Sequence, residues 1–370
     1  MTPKPMGALL ASLIAAVCVA GLQAASPAPG SALAPAPDSV ASSGPTGAPS
    51  RTRMIVDAAD AFLATLTVEQ KKALQFAFTD AAQRQRWSNF PDGHVQRAGV
   101  RWGVMNERQR AALMNLLGTV LGPKGVKMMR EQMEAEEIVK AQPMPPERGA
   151  RFGNEWYYVA FLGTPSENSP WMLQFTGHHV GLNATIVGPR LTISPSLTGG
   201  QPLKFISKEG KPVYIVADET LAALALLNSL TAEQRRKAII SSQRIDLVLG
   251  PGQDGRTLQP EGVRASELDE SQRARLLDVI QARLGILNAD TYATTMVPIR
   301  ENLNATYFAW YGPVGEPGTA YFRVTGPTVL LEFSPQEPGI RFPNAPVTQH
   351  AHNMYRDPTN EYGSAWTSLR

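Results

Sequence analysis

The sequence predicts an α+β fold made of two related helices-then-antiparallel-hairpin units packed into one domain. Three observations predict it. Apolar residues recur at helical spacing in several windows, aromatic-rich alternating runs bounded by glycine and proline mark strands, and both kinds of segment occur twice in the same order.

Residues 1–25 precede that fold and read as a secretory signal. Lys4 supplies the positive flank, residues 6–22 an apolar run, and Leu22-Gln23-Ala24 small-residue cleavage chemistry. An uncleaved anchor is the alternative, for which the run is slightly short. Residues 26–50 form an Ala/Pro/Ser-rich tether. Twenty-one of these 25 residues are Ala, Pro, Ser or Gly, too little apolar surface to offset the entropy of ordering, so the tether is expected to be disordered. No later run is long and apolar enough to span a bilayer. The expected location is therefore secreted or periplasmic.

From residue 51 the chain is periodic. Ile55, Ala59, Phe62, Leu63 and Leu66 share a helical face, as do Leu113, Leu116, Leu117, Val120 and Leu121, and later Leu276, Leu277, Ile280 and Leu284. Four helix starts carry one signature: Thr67 to Gln70, Asn106 to Gln109, Thr231 to Gln234 and Asp269 to Gln272. Each sets a capping oxygen three residues before a glutamine, so that two orphan backbone donors are satisfied reciprocally. Thr67 to Asn106 is 39 positions and Thr231 to Asp269 is 38. Two strand pairs match likewise. Residues 156–163 and 171–177 form one expected hairpin, residues 306–312 and 321–326 the other. Gly163 pairs with Gly312 and Gly177 with Gly326 at an offset of 149. The expected domain is residues 51–370: a first unit of about 51–200, a second of about 215–335, and a histidine-containing C-terminal segment, 336–370.

Composition narrows the function. The 370 residues are 43% hydrophobic and 18% charged, with a net charge of +3 and one cysteine. A disordered chain and a disulfide or cysteine–zinc scaffold are excluded. No basic–aromatic stripe points to nucleic acid. Four of the five histidines form two clusters, Gly177-His178-His179 and His350-Ala-His352. Alternate strand residues share a face, so His350 and His352 can converge on one cation. The apolar parity of the first hairpin switches between Phe175 and Val180, which suggests a bulge near Gly177 that re-aims side chains. Glu332, the counterpart of Asn183, sits in an apolar run and must face solvent, pair with arginine or ligate. Met354 shares strand parity with the His-x-His pair, a hint of copper. His94 follows a turn and is expected to be exposed.

The site expected from these residues has His178, His179, His350 and His352 as ligands of a divalent metal (Zn, Cu, Fe or Mn). Glu332 or a histidine handles protons; Arg356 holds an anionic group and Asp357 orients a histidine, or the two form an ion pair that opens the Asp357-Pro358 turn. It describes a metal-dependent hydrolase acting on a small-molecule substrate. The alternative is a non-enzymatic secreted or envelope-associated binding module whose histidines are structural.

The chain also resembles the uncharacterised family catalogued as domain of unknown function 3500. The resemblance rests on Phe62-Leu-x-x-Leu-Thr-x-Glu-Gln70, Arg86-Trp87, Phe161-Leu-Gly163-x-Pro165, Gly177-His178-His179-x-x-Leu-Asn183, Phe308-Ala-Trp310, Glu332, and His350-x-His352-x-x-x-Arg356-Asp357. It implies one whole-chain unit with a His/Glu/Arg cluster and supplies no reaction. This chain departs from the pattern at Ser334-Pro335, where relatives carry Asp-Asn, and lacks a final histidine.

Overall fold

The computed structural model describes residues 50–142, 149–337 and 349–367. The expected signal and all but Ser50 of the expected tether lie outside them.

The chain enters at α1 (Arg51–Leu63), whose first turn is capped by the Ser50 hydroxyl accepting from Arg53 N. Next come α2 (Val68–Leu74), β1 (Gln75–Phe76), α3 (Ala81–Arg84), β2 (Val100–Arg101), α4 (Glu107–Val120) and α5 (Pro123–Lys140). Strands β3 (Tyr158–Leu162), β4 (Trp171–Gly177), β5 (Val180–Val187), β6 (Arg190–Thr192) and β7 (Ser196–Gly200) follow, then a small hairpin of β8 (Lys204–Ile206) and β9 (Pro212–Tyr214). The rest runs α6 (Ala217–Ser229), α7 (Ala232–Ala238), β10 (Ile239–Ser241), β11 (Val263–Arg264), α8 (Glu270–Leu284) and α9 (Ala289–Glu301). It closes with β12 (Tyr307–Tyr311), β13 (Tyr321–Thr325), β14 (Leu330–Pro335) and β15 (Ala351–Arg356). The fold class is α+β, as the periodicities predict.

All four capping boxes form, with both reciprocal hydrogen bonds in each. They are also joined in pairs, which the sequence did not show. Gln109 Nε2 donates to Gln70 Oε1 at 2.7 Å, and Gln272 Nε2 donates to Gln234 Oε1 at 2.9 Å. Each glutamine pair welds one helix start to the next, so loss of either glutamine would unsatisfy two helix ends together.

Among the described residues, the strands other than β8 and β9 make one 13-stranded sheet of order β1-β3-β4-β5-β7-β15-β14-β13-β12-β10, with β2, β6 and β11 paired off that path. Registers recur along it. Leu173 faces Ala184 and Gln174 faces Asn183; 149 positions on, Phe322 faces Phe333 and Arg323 faces Glu332. Each end carries a short parallel partner, β1 on β3 and β10 on β12. At the centre β7 and β15 run antiparallel, with His352 opposite Gly199.

One face of the sheet meets the helices. Phe62, Leu117, Leu276 and Leu284 pack there with Phe161, Trp171, Phe308 and Phe333 in a single apolar core. The other face is also buried, although many of its strand positions are polar: Gln174, Asn183, Thr185, Arg323 and Glu332. Irregular chain covers it, and irregular backbone needs hydrogen-bond partners. Gln174 Nε2 donates to the carbonyl of Arg84 at the end of α3, and Asn183 Nδ2 to the loop carbonyl of Pro195.

Candidate metal centre

Strands β4 and β5 stay paired up to Gly177 and Val180, so His178 and His179 form the turn. That turn, and not the expected bulge, switches the parity. A two-residue turn pairs odd positions with even ones, which puts Leu173 and Phe175 on the same core face as Val180 and Leu182. His179 has φ 63, a left-handed conformation that histidine tolerates better than most non-glycine residues. Tyr157 holds the tip: its hydroxyl donates to His178 O at 2.8 Å, and its ring fills the place of a Gly177 side chain, 2.6 Å from an added Cβ.

The turn brings the two histidine pairs together. The rings of His178 and His179 lie 3.6 Å apart between centroids, those of His179 and His350 4.9 Å, and those of His179 and His352 5.2 Å. Gly199 leaves room for this. A side chain there would meet Ala351 O at 2.5 Å and the rings of His352 and His179 at 3.2 and 3.3 Å. His178, His179 and His350 each offer a nitrogen within 4.8 Å of the others, close enough to hold one metal ion.

A carboxylate completes the cluster, and it is not Glu332. Glu136 of α5, 1% exposed, sets Oε1 2.6 Å from His178 Nδ1 and 3.3 Å from His179 Nδ1. The His179 contact has hydrogen-bond geometry; His178 Nδ1 is close but misaligned and has no hydrogen-bond partner. Burial raises the Glu136 pKa, opposed chiefly by the His179 hydrogen bond.

The tautomers follow from the partners. His350 Nδ1 faces the Glu337 carbonyl at 3.2 Å, which can only accept, so Nδ1 carries the proton and Nε2 a bare lone pair. An ionised Glu136 likewise fixes the proton of His179 on Nδ1. The two Nε2 atoms, however, lie 2.9 Å apart. Two lone pairs at that distance repel. A cation between them satisfies both; a proton does so if His179 carries one on Nε2, either as imidazolium beside an ionised Glu136 or as the other tautomer beside a protonated one. Imidazoles on a tetrahedral metal place their nitrogens about 3.3 Å apart, given bonds of about 2.0–2.1 Å.

Burial, reinforced by neighbouring imidazoles, holds His178, His179 and His352 well below the usual histidine range, and burial lowers His350 to about 4. These histidines are neutral at pH 7, as metal ligation requires. The sign for stability follows. A folded pKa below the unfolded value of about 6.5 gives stability that is present above 6.5 and lost as pH falls toward the folded value. In metal-free protein, the stability of wild type relative to His350→Asn should therefore be greatest above pH 6.5 and shrink toward pH 4. Urea titrations across that window check this, and a difference that grows on acidification would contradict it.

His352 stands beside the three converging histidines. Asn89 Nδ2 lies 3.3 Å from its Nδ1, and its ring is 5.0 Å from that of His350. Together with His178 and His350 it lines a cavity of about 330 Å³. Phe90, Pro91, Ala150 and Phe152 form apolar wall, while Asn89, Gln201, Asp246, Gln336 and Glu337 are polar. His94 is exposed, as expected, but it too lines this cavity.

The other sequence candidates go elsewhere. Glu332, fully buried, accepts from Val248 N at 2.8 Å, Leu249 N at 2.7 Å and Tyr321 Oη at 2.7 Å. Burial raises its pKa against those hydrogen bonds, and it does not join the converging histidines. Arg356 donates to Leu249 O and Gly250 O, each at 2.9 Å, and pairs with Asp254 and Glu361. Glu332 and Arg356 thus grip one loop from its N–H and C=O sides. Asp357 Oδ1 accepts from Thr359 N and Oγ1, closing the turn at Pro358 rather than orienting a histidine. Met354 packs with Trp87 and Leu197, which removes the hint of copper.

Glu136 was missed, although a signal existed. It lies on the helical stripe of Met129, Gln132 and Met133, where a carboxylate on an apolar face asks for a partner.

Fold and site together define an α+β protein with a buried histidine–carboxylate cluster at the floor of a small cavity. The chain belongs to the DUF3500 family, whose description is a protein of unknown function, and matches it over residues 48–364. No curated protein and no solved structure matches it.

Proposed function

We propose that this protein binds a divalent first-row metal through His178, His179 and His350 and uses it in hydrolysis of a small substrate. The observation that carries the reading is the 2.9 Å approach of two Nε2 atoms, of which the His350 partner leaves one without a proton and an ionised Glu136 leaves the other without one. Glu136 holds the His179 ring by its outer nitrogen, the arrangement by which carboxylates orient metal-binding imidazoles. A bound divalent cation supplies Lewis acidity, lowering the pKa of water and polarising a carbonyl. His352, lining the cavity outside the converging set, is the side chain we assign to pass a proton between water and a leaving group. Export and the duplicated single domain, residues 51–370, belong to the same reading. The leader supports the first and the recurring strand registers the second. Among the described residues, no helix is long and apolar enough to cross a membrane.

The raised pKa of Glu136 favours a second reading, in which a protonated Glu136 and a shared proton make the cluster purely structural. Titration of zinc into wild type and Glu136→Gln separates the two. The metal reading expects tight binding by wild type and a loss of about 10–100-fold in the variant. The structural reading expects no binding by either and little change in stability, since glutamine can donate where the protonated acid did.

A further inference from the structure

The cavity walls are graded across the histidine cluster. At His178 they are apolar: the Phe152 ring meets that imidazole edge-on at 5.2 Å, with Phe90, Pro91 and Ala150 in the same lining. At His350 they are acidic and amide-bearing. Gln336 N donates to His350 O at 2.7 Å, and Glu337 O accepts from His350 Nδ1. Asp246 stands there too, its Oδ1 held by Gln336 Nε2 and by Ser334 Oγ at 3.4 Å. Glu337 is paired with Arg244 at the surface, which leaves Asp246 to set the charge of this wall. An apolar wall with a carboxylate at its far end suits a ligand that has an apolar body and a cation at one end. The volume of about 330 Å³ is at the small end for ligand cavities, which limits the guest to a single ring or its equivalent.

We infer that this cavity recognises a small organic cation with a flat apolar body, of the arylalkylammonium class, its ring against Phe90 and Phe152 and its ammonium at Asp246. The assignment names the substrate class of the proposed hydrolase and rests on that reading. The site for the cation itself does not need the metal. A ligand laid along the graded wall carries its mid-portion past His178 and His350, where a scissile ester or amide would sit.

The test is calorimetric titration of the full chain with benzyltrimethylammonium, benzyl alcohol and benzenesulfonate, three probes of similar ring and different charge. The quaternary ammonium cannot coordinate a metal, so it reports the cavity, while a separate zinc titration reports the histidines. The cation should bind about tenfold tighter than the alcohol and tighter still than the sulfonate. Asp246→Asn should erase that preference while leaving the alcohol unchanged, and Phe152→Ala should weaken both. Absence of cation binding, a preference for the sulfonate, or an Asp246→Asn variant that keeps the full preference would overturn the assignment. Cation binding without zinc binding would sink the hydrolase and leave the cavity assignment standing; the reverse result would do the opposite.

Discussion

Replacing His179 with asparagine is expected to abolish metal retention, the largest functional effect that the geometry allows. His179 is the hub of the cluster: its ring approaches those of His178, His350 and His352, and it bonds Glu136 through Nδ1. Removing it leaves two of three converging nitrogens and a buried carboxylate with a poorly aligned partner. The expected loss of affinity is about a thousandfold or more, since each ligand lost is worth several kcal/mol in a buried site. Asparagine is the better substitution because it accepts the left-handed backbone at this turn, whereas alanine adds about 1–2 kcal/mol of strain. The readout is the shift in Tm on adding zinc. Wild type should gain stability equivalent to about 4 kcal/mol at a thousandfold excess over Kd, and the variant should gain none. An equal zinc shift in both would remove His179 from the site.

Arg356→Ala is expected to cost about 3–5 kcal/mol of stability, because it strips a buried cation from its partners. Arg356 is 1% exposed and bonds two loop carbonyls and two carboxylates. Without it, the Leu249 and Gly250 carbonyls lose their donor and Asp254 and Glu361 lose their counter-charge. Denaturant unfolding should show the loss, and zinc stoichiometry of the folded variant should be unchanged. The opposite pattern, intact stability with weakened ligand binding, would restore the anion-holding role that the sequence suggested.

Those two residues also show how much of the molecule was legible in advance. The capping boxes and hairpins were readable because helix starts and strand faces depend on neighbours within a few positions, and all four boxes form. The meeting of His178 and His179 with His350 was foreseeable from clustering alone, since so few histidines occur elsewhere. The carboxylate was not. Glu136 lies 43 positions from His179 on a helix, and nothing local links them. Glu332 and Arg356 were misassigned for a related reason. Their partners include backbone groups of Val248, Leu249 and Gly250, and irregular chain carries no periodic signal of where it will lie. A charged residue in an apolar strand announces that it needs a partner, but it does not say whether that partner is a metal or a peptide group.

Elemental analysis of the protein, purified without an affinity tag, tests the central claim most directly. The account predicts close to one divalent metal per chain in wild type and none in a His179→Asn, His350→Asn double variant that still folds. Wild-type protein that is metal-free, and whose Tm does not move on adding zinc, copper, iron or manganese, would contradict it and leave the four imidazoles a structural cluster.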